Sequence, residues 1–289
     1  MGREMTVALA QTGPVPGADP SDGAAEACRL IERAADAGAD LICFGELFLA
    51  PFFPNRLEED FDRYFLHLPD PRIDPIFEAA KARGLAMIFP FGEKTQSSYY
   101  NAALVLDAEG RTVGTYRKTH IPAYFPTELQ GGTGSFEKFY FKPGDDLPVF
   151  DVCGVRIGIQ ICNDRLYPEP SRVLARRGAE VLFMPICYST YGDTEHRQSL
   201  WDLPLRMRAF ENGVYVVAVN RVGDEGPRHH IGRSMVVGPR GAILAEAGDT
   251  ETELLVHTID IDEVLVARKK FPWWRDRRPD LYDDLVSGE

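Results

Sequence analysis

Short apolar strands alternate with helices in two successive series along the chain. In the first series, the helix predicted over 24–37 ends at Gly38 and the helix predicted over 75–83 ends at Gly84. A glycine just past the last turn is typical of a helix C-terminus. Neither a Gly/Ser-rich linker nor a change of composition separates the two series, so we expect a single α/β domain built from two similar halves.

The remaining elements follow from the same patterns. Further helices are predicted from 168 toward Gly178, over 201–212 and over 262–269. The segment 123–146 is rich in glycine and aromatic residues, and we expect it to form a pocket wall because loops of that length are usually functional. Apolar runs and two-residue alternation predict strands over 6–11, 40–46, 85–91, 100–107, 111–116, 155–161, 178–185, 214–220, 234–237, 242–247 and 253–260.

A cysteine lies where one of these strands turns into a helix. Val155, Ile157, Ile159 and Ile161 alternate with other residues, and this pattern stops at Cys162. In a strand–turn–helix unit the residue at the strand end is exposed at the sheet edge, and the backbone N–H groups beyond it can bind an oxyanion. The thiol is therefore a candidate nucleophile. The alternative is that it is a small buried hydrophobe, as many free cysteines are.

The composition limits the class of partner. The chain has 289 residues, of which 44% are hydrophobic, and its formal net charge is -12. A charge this negative argues against attraction to nucleic acid or to an anionic membrane surface. We therefore expect a small-molecule substrate.

Cysteine usage and known motifs indicate neither a metal nor a cofactor. The five cysteines are an odd set without paired metal-type spacing, which is typical of reduced thiols in a cytoplasmic protein. The apolar run near the N-terminus is too short for a signal sequence or a membrane span. The glycine fingerprint of dinucleotide-binding folds, the phosphate-binding loop and the His-Glu-x-x-His zinc motif are all absent from the sequence.

Three residues with complementary chemistry lie at the ends of predicted strands. Glu46 ends strand 40–46, Lys118 follows strand 111–116, and Cys162 ends strand 155–161. Taken singly, they could be a solvated strand terminus, a surface cation and a core thiol. Together they are more informative, because a thiol with a pKa near ~8.5 needs a base to take its proton or a cation to lower its pKa. The ammonium could also stabilise the oxyanion that forms when a thiolate attacks a carbonyl.

These residues and their neighbours carry a resemblance. Gly45-Glu46, the segment 117–122 and the segment 161–169 resemble, in order and spacing over nearly the whole chain, the three blocks of the nitrilase (carbon–nitrogen hydrolase) superfamily. The resemblance implies a four-layer α-β-β-α sandwich, a Glu-Lys-Cys catalytic triad without a cofactor, and a homodimer or higher homo-oligomer. It also implies a second catalytic glutamate, for which Glu137 stands at the expected place.

The same resemblance divides the chain into a carbon–nitrogen hydrolase domain and a tail. The domain is predicted over 1–270. The remaining residues, 271–289, begin with an aromatic and arginine-rich run without periodicity. Such a composition suits a protein surface, and the tail is similar to the segment of this superfamily that crosses an oligomer interface.

Within the superfamily, the run from Cys162 to Arg165, followed by an aromatic residue, proline and glutamate, is similar to N-carbamoyl-D-amino-acid amidohydrolases. The chain departs from that group at Leu166, where they carry a second arginine, and at Phe136, where they carry a histidine. The segments 117–122 and 211–223 are similar to N-carbamoylputrescine amidases and β-ureidopropionases.

Three residues are candidates for substrate binding: Arg165, Asn163 and His120. A guanidinium matches a carboxylate bidentately, so Arg165 could anchor an N-carbamoyl amino acid by its acid group. The alternative is a structural arginine that pairs with Asp164 or Glu169 to fix the turn.

We expect hydrolysis of an N-carbamoyl (ureido) amino acid or amine to the free amine, ammonia and carbon dioxide. Glu46 would be the base and Cys162 the nucleophile, with Lys118 at the oxyanion and Glu137 near the water. One alternative is an ω-amidase or other aliphatic amidase with the same triad. Another is a non-catalytic interaction module that uses the aromatic tail.

Overall fold

The computed structural model describes residues 2–15, 17–122, 135–190, 200–273 and 275–286. The helices are α1 (Ala24–Asp36), α2 (Asp74–Ala82), α3 (Glu137–Tyr140), α4 (Pro168–Arg176), α5 (Asp202–Asn212) and α6 (Asp262–Lys270). The strands are β1 (Glu4–Gln11), β2 (Leu41–Phe44), β3 (Phe65–Leu66), β4 (Ala86–Lys94), β5 (Tyr99–Leu106), β6 (Thr112–Arg117), β7 (Val149–Val152), β8 (Val155–Ile159), β9 (Val181–Pro185), β10 (Ser189–Thr190), β11 (Tyr215–Val219), β12 (Val222–Glu225), β13 (Arg228–Ile231), β14 (Met235–Val237), β15 (Ile243–Glu246) and β16 (Glu253–Asp260).

These strands form two large sheets and one small one. The first sheet has the order β16-β1-β2-β4-β5-β6, with β3 paired to β4, and the second has the order β15-β14-β11-β9-β8-β7. At the centre of each sheet the strands run parallel: β1, β2 and β4 in the first, and β8, β9 and β11 in the second. The small sheet has the order β10-β13-β12.

The two large sheets pack face to face through their apolar side chains. Leu9 and Ile88 of the first sheet belong to the same buried cluster as Ile159, Phe183 and Val217 of the second. Helices α1 and α2 cover the outer face of the first sheet, and α4 and α5 cover the outer face of the second. The layers are therefore helix, sheet, sheet and helix, and the predicted four-layer α-β-β-α sandwich is confirmed.

Strand β1 shows how the sequence produces these layers. Val7 and Leu9 point into the cluster between the sheets, whereas Ala8 and Ala10 point toward the helices. Alternate residues of a strand face opposite sides of the sheet, so one apolar run supplies both interfaces. The alanines let the helices approach closely.

Most predicted elements agree with the structure to within about three residues at each end. The predicted strand 155–161 is slightly too long, because β8 ends at Ile159. Strands β3, β7, β10, β12 and β13 were not predicted. The segment 123–146 contains α3 rather than only loop, while its part from 123 to 134 lies outside the described residues.

The described start of the tail packs on its own chain. Phe271 stacks on Trp273 with ring centroids 5.5 Å apart, and Trp273 meets Phe210 of α5 edge to face at 5.7 Å. Whether the tail crosses an oligomer interface stays a prediction. Among the described residues, no helix is both long enough and apolar enough to cross a membrane.

Candidate active site

The three strand-end residues converge at one edge of the sandwich. Glu46 follows β2, Lys118 follows β6 and Cys162 follows β8. Carboxyl ends of parallel strands meet at the same edge of a sheet, which is where sites form in α/β folds. The two sheets are joined at this edge, because the backbone N–H of Glu46 donates to the carbonyl of Ile186, just beyond β9, at 3.4 Å.

Glu46 is buried and fully engaged. Its Oε1 accepts hydrogen bonds from Asn101 Nδ2 at 2.7 Å and from Lys118 Nζ at 2.8 Å. Its Oε2 accepts from the backbone N–H of Cys187 at 3.1 Å. Only 1% of the residue is exposed, so Glu46 is not a solvated strand terminus.

Lys118 is an ammonium held between two carboxylates. Its side chain is 0% exposed, and Nζ donates to Glu46 Oε1 at 2.8 Å and to Glu137 Oε2 at 2.6 Å. Burial alone would lower the pKa of Lys118, but the charges of Glu137 and Glu46 more than offset that effect and raise this pKa well above its usual value. Lys118 is therefore charged, and it is not a surface cation.

Glu137 is the second carboxylate of this buried group. It begins α3, and its Oε1 accepts a hydrogen bond from Ser135 Oγ at 3.2 Å. Burial raises the pKa of Glu137 to about 7, and the attraction of Lys118 limits the rise. Two carboxylates thus share one ammonium, and Glu137 can exchange a proton near neutral pH.

Cys162 lies at the start of a short 3-10 helix, Cys162–Leu166. Its φ is 45°, a left-handed conformation that is uncommon for a residue other than glycine and concentrates at functional sites. Burial and the charge of Glu46 raise the pKa of the thiol to about 12, although Lys118 and Arg165 act in the opposite direction. Sγ therefore carries its proton at neutral pH, and the thiol could act as a nucleophile only if a base removed that proton.

A cavity of about 90 Å³ opens beside the thiol. It is lined by Cys162, by one carboxylate of the buried group, Glu137, and by two arginines and aromatic side chains. The lining includes Phe52, Glu137, Cys162, Asn163, Arg165, Tyr188 and Arg228.

Arg165 is held beside Cys162. Its guanidinium carbon lies 5.0 Å from the ring centroid of Tyr188 and 5.5 Å from that of Trp201. Its Nη1 donates to the carbonyl of Cys162 at 2.8 Å and lies 3.6 Å from Sγ. Its Nε is buried without a hydrogen-bond partner among the described residues.

If Arg165 were only a structural arginine, the sequence predicts that it would pair with Asp164 or Glu169. In the described part of the chain, Arg165 forms an ion pair with neither of them. Its orientation instead comes from the aromatic rings and the Cys162 carbonyl.

The side chain of Asn163 is hydrogen-bonded to the backbone of His120. Asn163 lines the cavity, and its Nδ2 donates to the carbonyl of His120 at 3.0 Å. The His120 ring stacks on Tyr167 with centroids 4.2 Å apart. His120 is not among the described residues that line the cavity, so a direct role for it in substrate binding rests on the sequence alone.

The profile of the carbon–nitrogen hydrolase family matches residues 6–269. The chain belongs to this family. It is thus a hydrolase of carbon–nitrogen bonds other than peptide bonds, and the predicted resemblance is confirmed.

Several relatives of this carbon–nitrogen hydrolase are named amidases. It is similar to an N-carbamoylputrescine amidase of Solanum tuberosum, with 36% identity over 281 residues that cover 93% of this chain and 91% of the relative. It is also similar to an omega-amidase of Homo sapiens, with 30% identity over 268 residues and 91% of each chain covered.

Solved structures agree with the fold. A carbon–nitrogen hydrolase from Helicobacter pylori G27 superposes with a TM-score of 0.88 at 27% identity, covering 99% of both chains. An amidase from Nesterenkonia sp. AN1 superposes with a TM-score of 0.78 at 26% identity, covering 97% of this chain and 99% of that one. This amidase was solved as a glutamate-to-glutamine variant that carries acrylamide on its active-site cysteine.

Sequence patterns missed one residue that joins two parts of this candidate site. Asp164 is fully buried and accepts hydrogen bonds from Tyr116 Oη at 2.7 Å and from the backbone N–H groups of Ile161 at 2.8 Å and His120 at 2.9 Å. It therefore ties the segment that carries Lys118 to the turn that carries Cys162. Its burial could not be predicted, because an aspartate in a polar turn is usually exposed to solvent.

Asn101 and Arg228 were also missed. Asn101 lies inside a predicted strand and donates to Glu46, as described above. Arg228 lines the cavity from β13, and its Nη1 donates to Ser189 Oγ at 3.1 Å. Neither residue belongs to a motif, so only the tertiary structure brings them to the site.

Proposed function

We propose that this hydrolase acts on an N-carbamoyl (ureido) compound, with Cys162 as nucleophile, Glu46 as base and Lys118 as oxyanion donor. One observation carries the proposal. A neutral thiol in a left-handed backbone conformation interacts electrostatically with a buried carboxylate–ammonium–carboxylate group and shares a cavity with one of its members, Glu137. A general base next to a protonated nucleophile is what thiol-based acyl transfer needs.

The first half of the reaction forms a covalent intermediate. Glu46 takes the proton of Cys162 as Sγ attacks the ureido carbonyl carbon, and Lys118 with backbone N–H groups stabilises the oxyanion. The oxyanion then collapses and the C–N bond to the terminal nitrogen breaks. Glu46 returns its proton to that nitrogen, so ammonia leaves and a carbamoyl-cysteine thioester remains.

The second half releases the product. Glu46, with Glu137 nearby, takes a proton from water, and the resulting hydroxide attacks the thioester carbon. Sγ leaves and recovers a proton. The product is a carbamate, which loses carbon dioxide to give the free amine. No step needs a cofactor.

The position of Arg165 favours a substrate with a carboxylate. One edge of the guanidinium faces the Cys162 carbonyl, while Nε is buried without a partner among the described residues. An unpaired buried donor is costly, and a carboxylate in the cavity would satisfy it. N-carbamoyl amino acids therefore suit this site better than N-carbamoyl amines.

A simple carboxamide is the second candidate substrate. The human relative is an omega-amidase, and the Nesterenkonia amidase was solved with butyramide bound in a cysteine-to-alanine variant. The C–N bond of a carboxamide and that of a ureido group would be cleaved by the same thiol chemistry.

A substrate panel separates these candidates. Ammonia release is measured with N-carbamoyl amino acids, N-carbamoyl amines, aliphatic amides and nitriles, each with a Cys162→Ala control. We expect carbamoyl amino acids to have the highest kcat/KM and the control to be inactive on all of them. Higher kcat/KM for simple amides than for ureido compounds would mean that the protein is an amidase of simple carboxamides instead.

Arg165→Lys tests the carboxylate anchor. A lysine keeps the charge but cannot present the two-pronged donor, so we expect KM for carbamoyl acids to rise about tenfold, the equivalent of one charge-assisted hydrogen bond. KM for neutral ureido compounds and amides should change much less. The matched control is Arg176→Lys, at an exposed arginine that ends α4. Equal slowing of every substrate would contradict the anchor.

A further inference from the structure

A second buried charged group lies behind the proposed base. Arg221 is 1% exposed, and its Nη2 donates to the carbonyls of Leu47 at 3.1 Å and Ala50 at 2.9 Å. Leu47 directly follows Glu46 and has a φ of 50°, which is uncommon for leucine. The guanidinium thus binds the carbonyls of a sharp turn that starts at the base.

Glu225, at the end of β12, is the counter-ion of Arg221 and also binds the backbone of Phe52, a few residues farther along the chain from Leu47. Its Oε2 accepts from Arg221 Nη1 at 2.6 Å, and its Oε1 accepts from the backbone N–H of Phe52 at 2.5 Å. Burial alone would raise the pKa of Glu225, but the neighbouring His230 ring and the Arg221 charge lower it to about 2, so the carboxylate is ionised. Arg221 and Glu225 together therefore fix the segment from Leu47 to Phe52.

A second arm runs from the same carboxylate to the other side of Glu46. His230 Nε2 lies 3.5 Å from Glu225 Oε2, and His230 Nδ1 lies 3.7 Å from Cys187 Sγ. The backbone N–H of Cys187 donates to Glu46 Oε2. Glu225 therefore contacts the chain that follows Glu46 directly, at Phe52, and reaches Cys187, which donates to Glu46, through His230.

We propose that Glu225 is a positioning residue for Glu46, which it holds through the segment Leu47–Phe52 and through His230 and Cys187. The proposal rests on the proposed function, in which Glu46 is the base. Glu225 does not line the cavity among the described residues, so it acts on the reaction through the residues that it holds in place rather than by contact with the substrate. A base must lie within hydrogen-bond reach of the proton that it takes, and a shift of about 1 Å can cost ~100-fold in rate.

The test is Glu225→Gln, which keeps the size of the side chain and removes its charge. Arg221 then loses its counter-ion. A glutamine also has one acceptor oxygen where Glu225 uses two, so it cannot accept from both Arg221 and the backbone N–H of Phe52. We expect kcat to fall by at least about tenfold, because a displaced Glu46 takes the proton of Cys162 more slowly. The matched control is Glu263→Gln, which removes the exposed ion pair with Arg240 and should leave kcat unchanged.

A double-mutant cycle separates positioning from general damage to the fold. The readout is the rate at which iodoacetamide alkylates Cys162 at pH 7, followed by peptide mass spectrometry, since removal of the thiol proton by Glu46 speeds alkylation. Glu225→Gln should slow this alkylation about tenfold when Glu46 is present. In a Glu46→Gln background it should have less than a twofold further effect.

Wild-type kcat and alkylation in Glu225→Gln would overturn the proposal, and so would an equally large slowing in the Glu46→Gln background. If Glu225→Gln does not fold, Glu225→Asp keeps the charge but withdraws it by one methylene, and it should still lower kcat severalfold; wild-type kcat there would overturn the proposal too. A fully active Glu46→Gln enzyme would instead remove the proposed function itself.

Discussion

Cys162→Ser should lose turnover by more than about 1,000-fold, because removing a nucleophile removes the covalent pathway altogether. The surroundings of Cys162 hold its thiol neutral, with a pKa near 12. A hydroxyl is a far weaker acid and nucleophile than a thiol, so Glu46 would be too weak a base to activate it. Ammonia release with the best substrate of the panel measures the effect.

The fold of this variant should be unchanged, because the smaller hydroxyl fits in the space of the thiol and the residue is only partly buried. Near-wild-type far-UV circular dichroism and melting temperature would establish that. The matched control is Cys153→Ser, at an exposed cysteine between β7 and β8, and it should keep full activity. Residual activity above about 1% in Cys162→Ser would disprove the proposed nucleophile, whatever the control shows.

The sequence allowed the site to be predicted because of where the reactive residues stand. Glu46 and Cys162 follow an apolar and an alternating run, and Lys118 follows strand 111–116, which the turn at Gly110 predicts as the second arm of a hairpin. Each pattern predicts both a strand and the place where it ends. Carboxyl ends of parallel strands lie at one edge of their sheet, and the packing of the two sheets brings the edge with Glu46 and Lys118 to the edge with Cys162. The chemistry of the three groups is complementary, so convergence alone suggested catalysis.

The partners of these residues could not be predicted in the same way. Asn101 lies in the middle of β5, and only the register of β5 against β6 puts it next to Lys118 and Glu46. Glu225 and His230 lie on β12 and β13, whose polar sequences lack the alternation that signals a strand. Buried polar contacts depend on tertiary packing, which local patterns do not encode.

The pKa of the thiol shows a second limit. From the sequence, a nearby cation could lower the pKa of Cys162 or a nearby base could take its proton. Burial and Glu46 outweigh Lys118 and Arg165, so the pKa rises. The balance depends on depth and distance, and it leaves deprotonation to a base.

Lys118→Ala should lower kcat by at least the ~100-fold typical of losing one oxyanion donor. It should also destabilise the protein by about 3–5 kcal/mol, because Glu46 and Glu137 would remain buried without their shared counter-ion. The matched control is Lys138→Ala, at the exposed neighbour of Glu137 on α3, which should alter neither quantity by much. A tenfold loss of kcat or less would make Lys118 peripheral to the chemistry.

The loss of stability should depend on pH in a defined direction. Burial already raises the pKa of Glu137 to about 7 in the presence of Lys118, whose charge limits the rise. Without that charge the pKa of Glu137 moves higher, so the folded variant retains a proton above pH 7 that the unfolded chain has lost. Stability falls with rising pH wherever the folded state binds more protons. The melting temperature of Lys118→Ala should therefore drop further below that of the wild type from pH 7 to pH 9, and a constant gap would mean that Lys118 does not hold the charge of Glu137.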